Sequence, residues 1–165
     1  MAASTAALDD VEEVARAAVQ AISALWPPQP SQQSEFALDA MLAKLEPGPL
    51  GAQLRCEILL VLPRLTGCSR SKATSAATAC LVDPDVSVSN AAVQAIRKLS
   101  QRGDTALEEA LLRYAGHEDV EVRRSVVELL GLVATGGSRA EATLRSLQED
   151  EELSSVAASA LRRIP

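Results

Sequence analysis

The sequence predicts an all-α fold: an α-solenoid of stacked antiparallel helix pairs, about four pairs with one further helix at the N-terminus. Three observations predict it. Hydrophobic residues make up 47% of the 165 positions and are nearly all Ala, Leu, Val and Ile, with one Trp, one Tyr and one Phe. Ala and Leu are strong helix formers, and this much apolar content argues against general disorder. A single apolar spacing recurs in five stretches, and shorter helical patterns with turn residues fill the intervals between them.

The recurrence shows first in a short string. AAVQAI occurs at 17–22 and again at 91–96. Around the second copy, apolar residues fall at i, i+4, i+7, i+8 and i+11: Val88, Ala92, Ala95, Ile96 and Leu99. Moving forward 34 residues gives Val122, Val126, Leu129, Leu130 and Val133, and moving back 34 gives Leu54, Ile58, Val61, Leu62 and Leu65. A further 40 back stand Val14, Ala18, Ala21, Ile22 and Leu25, and 31 past Val122 stand Leu153, Ala157, Ala160, Leu161 and Ile164. This spacing is one stripe of an amphipathic helix, so the chain carries five related helices. Both copies of AAVQAI are expected to fill the same slot.

Shorter helices are expected over 35–45, 71–81, 105–115 and 139–147, each followed by a turn and then a striped helix. The turns carry DPD at 83–85, HED at 117–119 and QED at 148–150, and Pro84 brings a φ already suited to a tight turn. Gly67, Gly103 and Gly136 follow three of the stripes, where a left-handed residue ends a helix cheaply. Pro63 removes a backbone donor within the last turns of its helix and is expected to kink or end it. Gly131 aligns with Pro63, so a bend in that place is tolerated in more than one unit. The organisation that results is an N-terminal capping helix over 1–26, a Pro/Gln/Ser linker over 27–34, and a repeat domain over 35–165. Its units are approximately 35–67, 70–103, 104–137 and 138–165.

The stretch Asp83-Pro-Asp-Val-Ser-Val-Ser-Asn-Ala-Ala-Val-Gln-Ala-Ile96 resembles the HEAT-repeat signature, in which an Asp-Pro turn precedes a Val-Arg pair and an alanine-rich second helix. Glu118-Asp-Val-Glu-Val-Arg-Arg-Ser-Val-Val-Glu-Leu-Leu-Gly131 is similar, with Val122-Arg123 in the Val-Arg place, and Leu54-Arg55 fills that place one unit earlier. Ser89 and Ser154 depart from the pattern, as does the turn Glu46-Pro-Gly-Pro49. The short units most resemble the HEAT-like subtype of phycobilin lyases. Such motifs specify a fold more closely than a function.

Two surfaces follow as candidates for binding. Stacking aligns Arg16, Cys56, Asn90, Arg124 and Ser155 in one exposed row, and Gln20, Leu60, Gln94, Glu128 and Ser159 in the next. The resemblance implies that second helices line a concave side, and so a partner groove there; the plainer reading is an ordinary polar face. Leu60 and Leu132 are its apolar exceptions. The second candidate is an acidic edge at the starts of the striped helices: Asp83, Asp85, Glu118, Asp119, Glu121, Asp150 and Glu151. Helix dipoles alone favour anions there, so these residues read either as caps or as a receptor for a basic segment.

Catalytic chemistry has little support. His117 is the only histidine and sits in a helix-connecting turn, with no serine or oxyanion motif to complete a triad. His117-Glu118 is similar to the His-Glu pairs that bind iron in deoxyhypusine hydroxylase, a HEAT-like enzyme, but one pair in a turn is not that site. There is no phosphate-binding glycine fingerprint, no calcium loop and no zinc-ligand spacing among Cys56, Cys68 and Cys80. No metal and no cofactor are predicted. A net charge of −6 disfavours nucleic acid, whose phosphates call for clustered cations. No apolar run is long enough to span a membrane, and the acidic early stretch is unlike a secretory signal. The three cysteines read as free thiols in a reducing compartment, the cytoplasm first. The expectation is therefore a non-catalytic scaffold or adaptor that binds another protein within a larger assembly. The alternatives are a phycobilin-lyase-like subunit or assembly chaperone for a cofactor protein, and a nucleic-acid-binding HEAT-like protein. Ile164, still in stripe register at the C-terminal end, predicts that this end is covered by a partner, by a second copy of the chain or by further residues.

Overall fold

The computed structural model describes residues 2–24, 32–46, 51–65 and 70–165. Every regular element among them is helical: nine α-helices, three short 3-10 turns and no strand, the elements of an α-solenoid. The helices are α1 (Ala2–Ala24), α2 (Gln32–Leu42), α3 (Ala52–Val61), α4 (Arg70–Ala79), α5 (Val86–Leu99), α6 (Thr105–Leu112), α7 (Val120–Val133), α8 (Arg139–Ser146) and α9 (Ser154–Leu161). The shorter helices expected from the sequence are α2, α4, α6 and α8. Of these, α2 runs about a turn N-terminal of its expected position and ends in i→i+3 hydrogen bonds from Lys44 and Leu45. Leu25, residues 27–31, Pro47 to Pro49, Gly67 and Cys68 lie outside the described residues. The chain divides into two compact units, 1–95 and 96–165.

In the first unit the core is built from Leu38, Met41, Leu54, Ile58, Leu62 and the start of the α5 stripe, Val88, Ala92 and Ala95, all buried. Pro63 acts as expected: the α-helix ends at Val61 and the chain continues as a 3-10 turn over Leu62–Arg64. The α1 stripe does not follow the expected register. Val14 is 71% exposed, Ala18 and Ala21 are exposed, and only Ile22 is partly covered. Instead α1 packs on α3 through a face one residue round, where Val19 is buried and Arg16 meets Glu57 at 2.7 Å. The two AAVQAI copies therefore occupy different environments. In α5 all of Ala91, Ala92, Ala95 and Ile96 are buried; in α1 Ala17, Ala18 and Ala21 face outward. A six-residue string fixes helical propensity, but neighbouring helices decide which of its faces is covered.

In the second unit, α6 packs on α7 and α8 on α9, while α7 also meets α8 and α9. Ile96, Leu99, Leu107, Leu111, Val126, Leu129, Leu130, Val133, Leu144 and Leu153 are buried there. At the end of α9, Leu161 and Ile164 are half-buried. The starts of α6, α7 and α8 each carry their own cap. Asp104 accepts from Leu107 N at 3.0 Å and Asp119 from Glu121 N at 2.8 Å. Ser138 accepts from Glu141 N while Glu141 accepts from Gly137 N, a reciprocal arrangement at the start of α8. The buried Glu108 side chain of α6 accepts from Ala140 N at 2.8 Å, satisfying another donor of that helix start.

Gly103, with φ of +80°, is left-handed as expected and donates to Val133 O at the end of α7, where Arg102 also binds Ala134 O. In the Gly136-Gly137 pair, Gly137 carries the positive φ. At Gly131 the helix does not end as it does at Pro63, since α7 runs unbroken through it to Val133. The role of Gly131 is close approach: a Cβ there would lie 2.7 Å from Ala160 Cβ and 2.8 Å from Ala160 Cα. At an exposed helical site Gly→Ala gains about 1 kcal/mol. Here overpacking against the α9 backbone costs roughly 1–3 kcal/mol, so Gly131→Ala is expected to lower the denaturant midpoint. A raised midpoint would show that α9 does not sit on α7 at Gly131.

Candidate functional site

The candidate site is the outer face of the second helix of each pair, taken within each unit. In the first unit, Cys56 Sγ lies 3.5 Å from Ser87 Oγ, which joins α3 to the start of α5. On this face Leu60 is 43% exposed, Asn90, Gln94 and Gln20 are exposed, and Arg16 is committed to Glu57. Among the described residues of this unit, the large apolar side chains Val14, Phe36, Leu60, Val82 and Val86 are exposed.

In the second unit the close approach of α7 and α9 shapes a notch of about 200 Å³ lined by Glu128, Ser155, Val156, Ser159, Ala160 and Arg163. Glu128, Ser155 and Ser159, placed on neighbouring rows by the repeat spacing, meet here. Glu128 is held by Arg97, and Arg124 pairs with Glu121 one turn away at 2.7 Å. The notch therefore offers two hydroxyls and the exposed Arg163 beside a carboxylate already neutralised by a cation. From the sequence Arg163 reads as one of the basic residues gathered at the ends of the striped helices, with Arg64, Arg97, Lys98, Arg102 and Arg162, and not as part of either exposed row.

The acidic edge resolves into separate roles. Asp83 does not belong to an exposed edge: its side chain is 2% exposed and receives two hydrogen bonds of 3.1 Å from Arg55, itself 8% exposed. Asp83 also accepts from Asp85 N at 2.9 Å, closing the turn before α5. Asp85 caps α5 through Ser87, whose hydroxyl and backbone hydrogen bonds hold its carboxyl below the usual range. In the second unit Asp119 caps α7, Asp150 accepts from Glu152 N and Leu153 N, and Glu121 is taken up by Arg124. Glu118 and Glu151 remain as exposed carboxylates. Arg123 binds the carbonyls of His117 and Glu118 and reaches Glu152 at 2.6 Å. It thus repeats, 29 residues apart, the cation-to-next-turn link that Arg55 makes to Asp83 over 28.

The side chains with chemical potential are occupied by the fold. His117 Nδ1 accepts from Asp119 N at 3.1 Å, the same turn-closing contact that Asp83 makes to Asp85 N. Burial pushes the Cys80 thiol up to about 11, so it is protonated at neutral pH and a poor nucleophile. Among the described residues no group of three or more His, Cys, Asp or Glu side chains converges to hold a metal, and no helix is long and apolar enough to cross a membrane. In the first unit an apolar groove of about 300 Å³ runs beside Leu42, Ala76, Ala79 and Val82.

None of the curated proteins matches the chain. The family model described as HEAT repeats matches residues 74–162, more than half of the sequence. That span takes in the capped turns at 83–85 and 117–119, the buried stripes of α5 and α7, and the α7–α9 contact at Gly131. The chain belongs to the HEAT-repeat family.

Proposed function

We propose that this protein is a non-catalytic adaptor that binds another protein through its second-helix faces, within a larger assembly in a reducing compartment. HEAT repeats are generally protein-interaction scaffolds and generally non-catalytic. The observation that carries the reading is the α7–α9 notch, where Glu128, Ser155, Ser159 and Arg163 present polar groups around Val156 and Ala160. A few side chains in a well-packed depression dominate the energetics of most protein interfaces. The acidic side chains at the helix starts largely serve as caps, which leaves Glu118 and Glu151 as auxiliary contacts that steer a partner.

The test is capture from the native source with the immobilised full chain. The parent is expected to retain a partner in stoichiometric amount. Arg163→Glu should lose it, while Glu109→Lys, on the first helix α6, should not. Equal recovery by all three, or no partner at all, contradicts the proposal. The short spacings of 34 and 31 residues between stripes favour, as a second reading, the HEAT-like subtype found in phycobilin lyases. A bilin mixed with the purified chain would then change its absorbance, and an unchanged spectrum rules against it.

A further inference from the structure

Both carboxylates of α7 have an arginine of their own: Arg97 holds Glu128, and Arg124 pairs with Glu121 at 2.7 Å. In the turn before α9, Arg123 reaches Glu152 at 2.6 Å. Arg163 is the cation left over at the α7–α9 notch. It lines the depression, is exposed and forms no ion pair among the described residues. No Asp or Glu follows Leu153 in the sequence, so α9 supplies no carboxylate of its own. The hydroxyls of Ser155 and Ser159 line the same depression and donate to no acceptor among the described residues.

We propose that the notch receives a carboxylate side chain, Asp or Glu, from the partner protein, with Arg163 as its counter-charge and the two serine hydroxyls as further donors; this rests on the reading of the notch as the adaptor's binding surface. Size excludes the other class of ligand. A volume of about 200 Å³ falls below the about 300–1,000 Å³ of small-molecule sites and suits one side chain. Charge then selects which side chain. One open guanidinium matches one carboxylate, which it can bind through two parallel N–H···O bonds. A phosphorylated side chain carries nearly two charges and calls for a cluster of arginines. A lysine from the partner would face Arg163 and find Glu128 already held by Arg97. Val156 and Ala160 give the notch apolar walls, which withdraw the bound pair from water and strengthen it over an exposed one. The net charge of −6 does not oppose this contact. The exposed Glu151 stands at the opposite end of the eight-residue α9, roughly 12 Å along its axis, beyond the about 8 Å over which exposed charges act at physiological salt.

Random linear peptides, displayed on phage and selected on the immobilised full chain, supply the probe. Peptides that Arg163→Glu releases should share an Asp or Glu at one place. Its exchange for Asn or Gln should weaken binding to the parent about tenfold, as the loss of a charge-assisted hydrogen bond does. On Arg163→Gln the same exchange should have almost no effect, the mark of a direct pair. Arg113→Gln, at the end of α6, should behave as the parent, and all variants should keep the helical circular-dichroism spectrum. Peptides that Arg163→Glu releases, yet that bind the parent equally well without any carboxylate, would overturn this inference and leave the adaptor notch standing. An acid needed as much by Arg163→Gln as by the parent also overturns it, by placing the carboxylate elsewhere. Recovery of no peptide that Arg163→Glu releases would count against the notch and its ligand together.

Discussion

Asp83→Ala is expected to remove about 3–5 kcal/mol of unfolding free energy, the range seen when one member of a buried ion pair is deleted. Asp83 and Arg55 are both almost wholly withdrawn from water, with side-chain exposures of 2% and 8%. Their two hydrogen bonds form a fork in which each carboxylate oxygen is used. Removing the carboxylate leaves a guanidinium in a site whose desolvation was offset by that charge. The same substitution also removes the acceptor for Asp85 N, a smaller loss of about 1 kcal/mol. Asp83→Asn separates the two, since it keeps the turn acceptor and drops the charge; it should recover only the smaller part. The double replacement Arg55→Leu with Asp83→Leu should be milder than Asp83→Ala, because no buried charge is left behind. Urea unfolding of the parent and the three variants supplies the comparison. An Asp83→Ala protein within about 0.5 kcal/mol of the parent, as for an ordinary surface change, would mean that the pair is not buried.

Leu130→Ala should cost roughly 2–5 kcal/mol, the range for truncating a large side chain in a core that relaxes only partly. Leu130 is fully buried in α7, the helix that meets α6, α8 and α9, so a cavity there opens between several elements at once. Leu132, two residues on, is only half-buried and provides the control: Leu132→Ala should cost clearly less. Equal losses at 130 and 132 would place the stripe on the wrong side of α7.

The fold was legible because apolar periodicity over eleven residues repeats with little drift, and burial largely follows it in α3, α5, α7 and α9. The departures have local causes. In α1 the same pattern is present but the covering elements differ, so the helix turns Val19 inward and Val14 outward. Gly131 aligned with Pro63 suggested a shared tolerance of a bend; the two residues do different things, because proline removes a donor whereas glycine removes a side chain. Asp83 looked like a member of an acidic edge since its partner Arg55 stands 28 residues earlier, on another helix. The recurrence of a cation-to-turn spacing, from Arg123 to Glu152, was the signal that could have revealed it. At the candidate site the exposed rows nominated Glu128, Ser155 and Ser159, which meet in the notch because repeat register predicts neighbours. Arg163 read as part of a basic edge at the helix ends and not of this face, as a notch arises from how closely two helices approach.

The most direct measurement is a hydroxyl-radical footprint of the chain with and without its captured partner. Protection is expected on the second-helix faces, at Leu60, Val156 and Arg163, with Phe36, Arg113 and Arg139 on the first helices oxidised as before. Protection confined to Phe36, Arg113 and Arg139, with Leu60, Val156 and Arg163 unchanged, would contradict binding through the second helices.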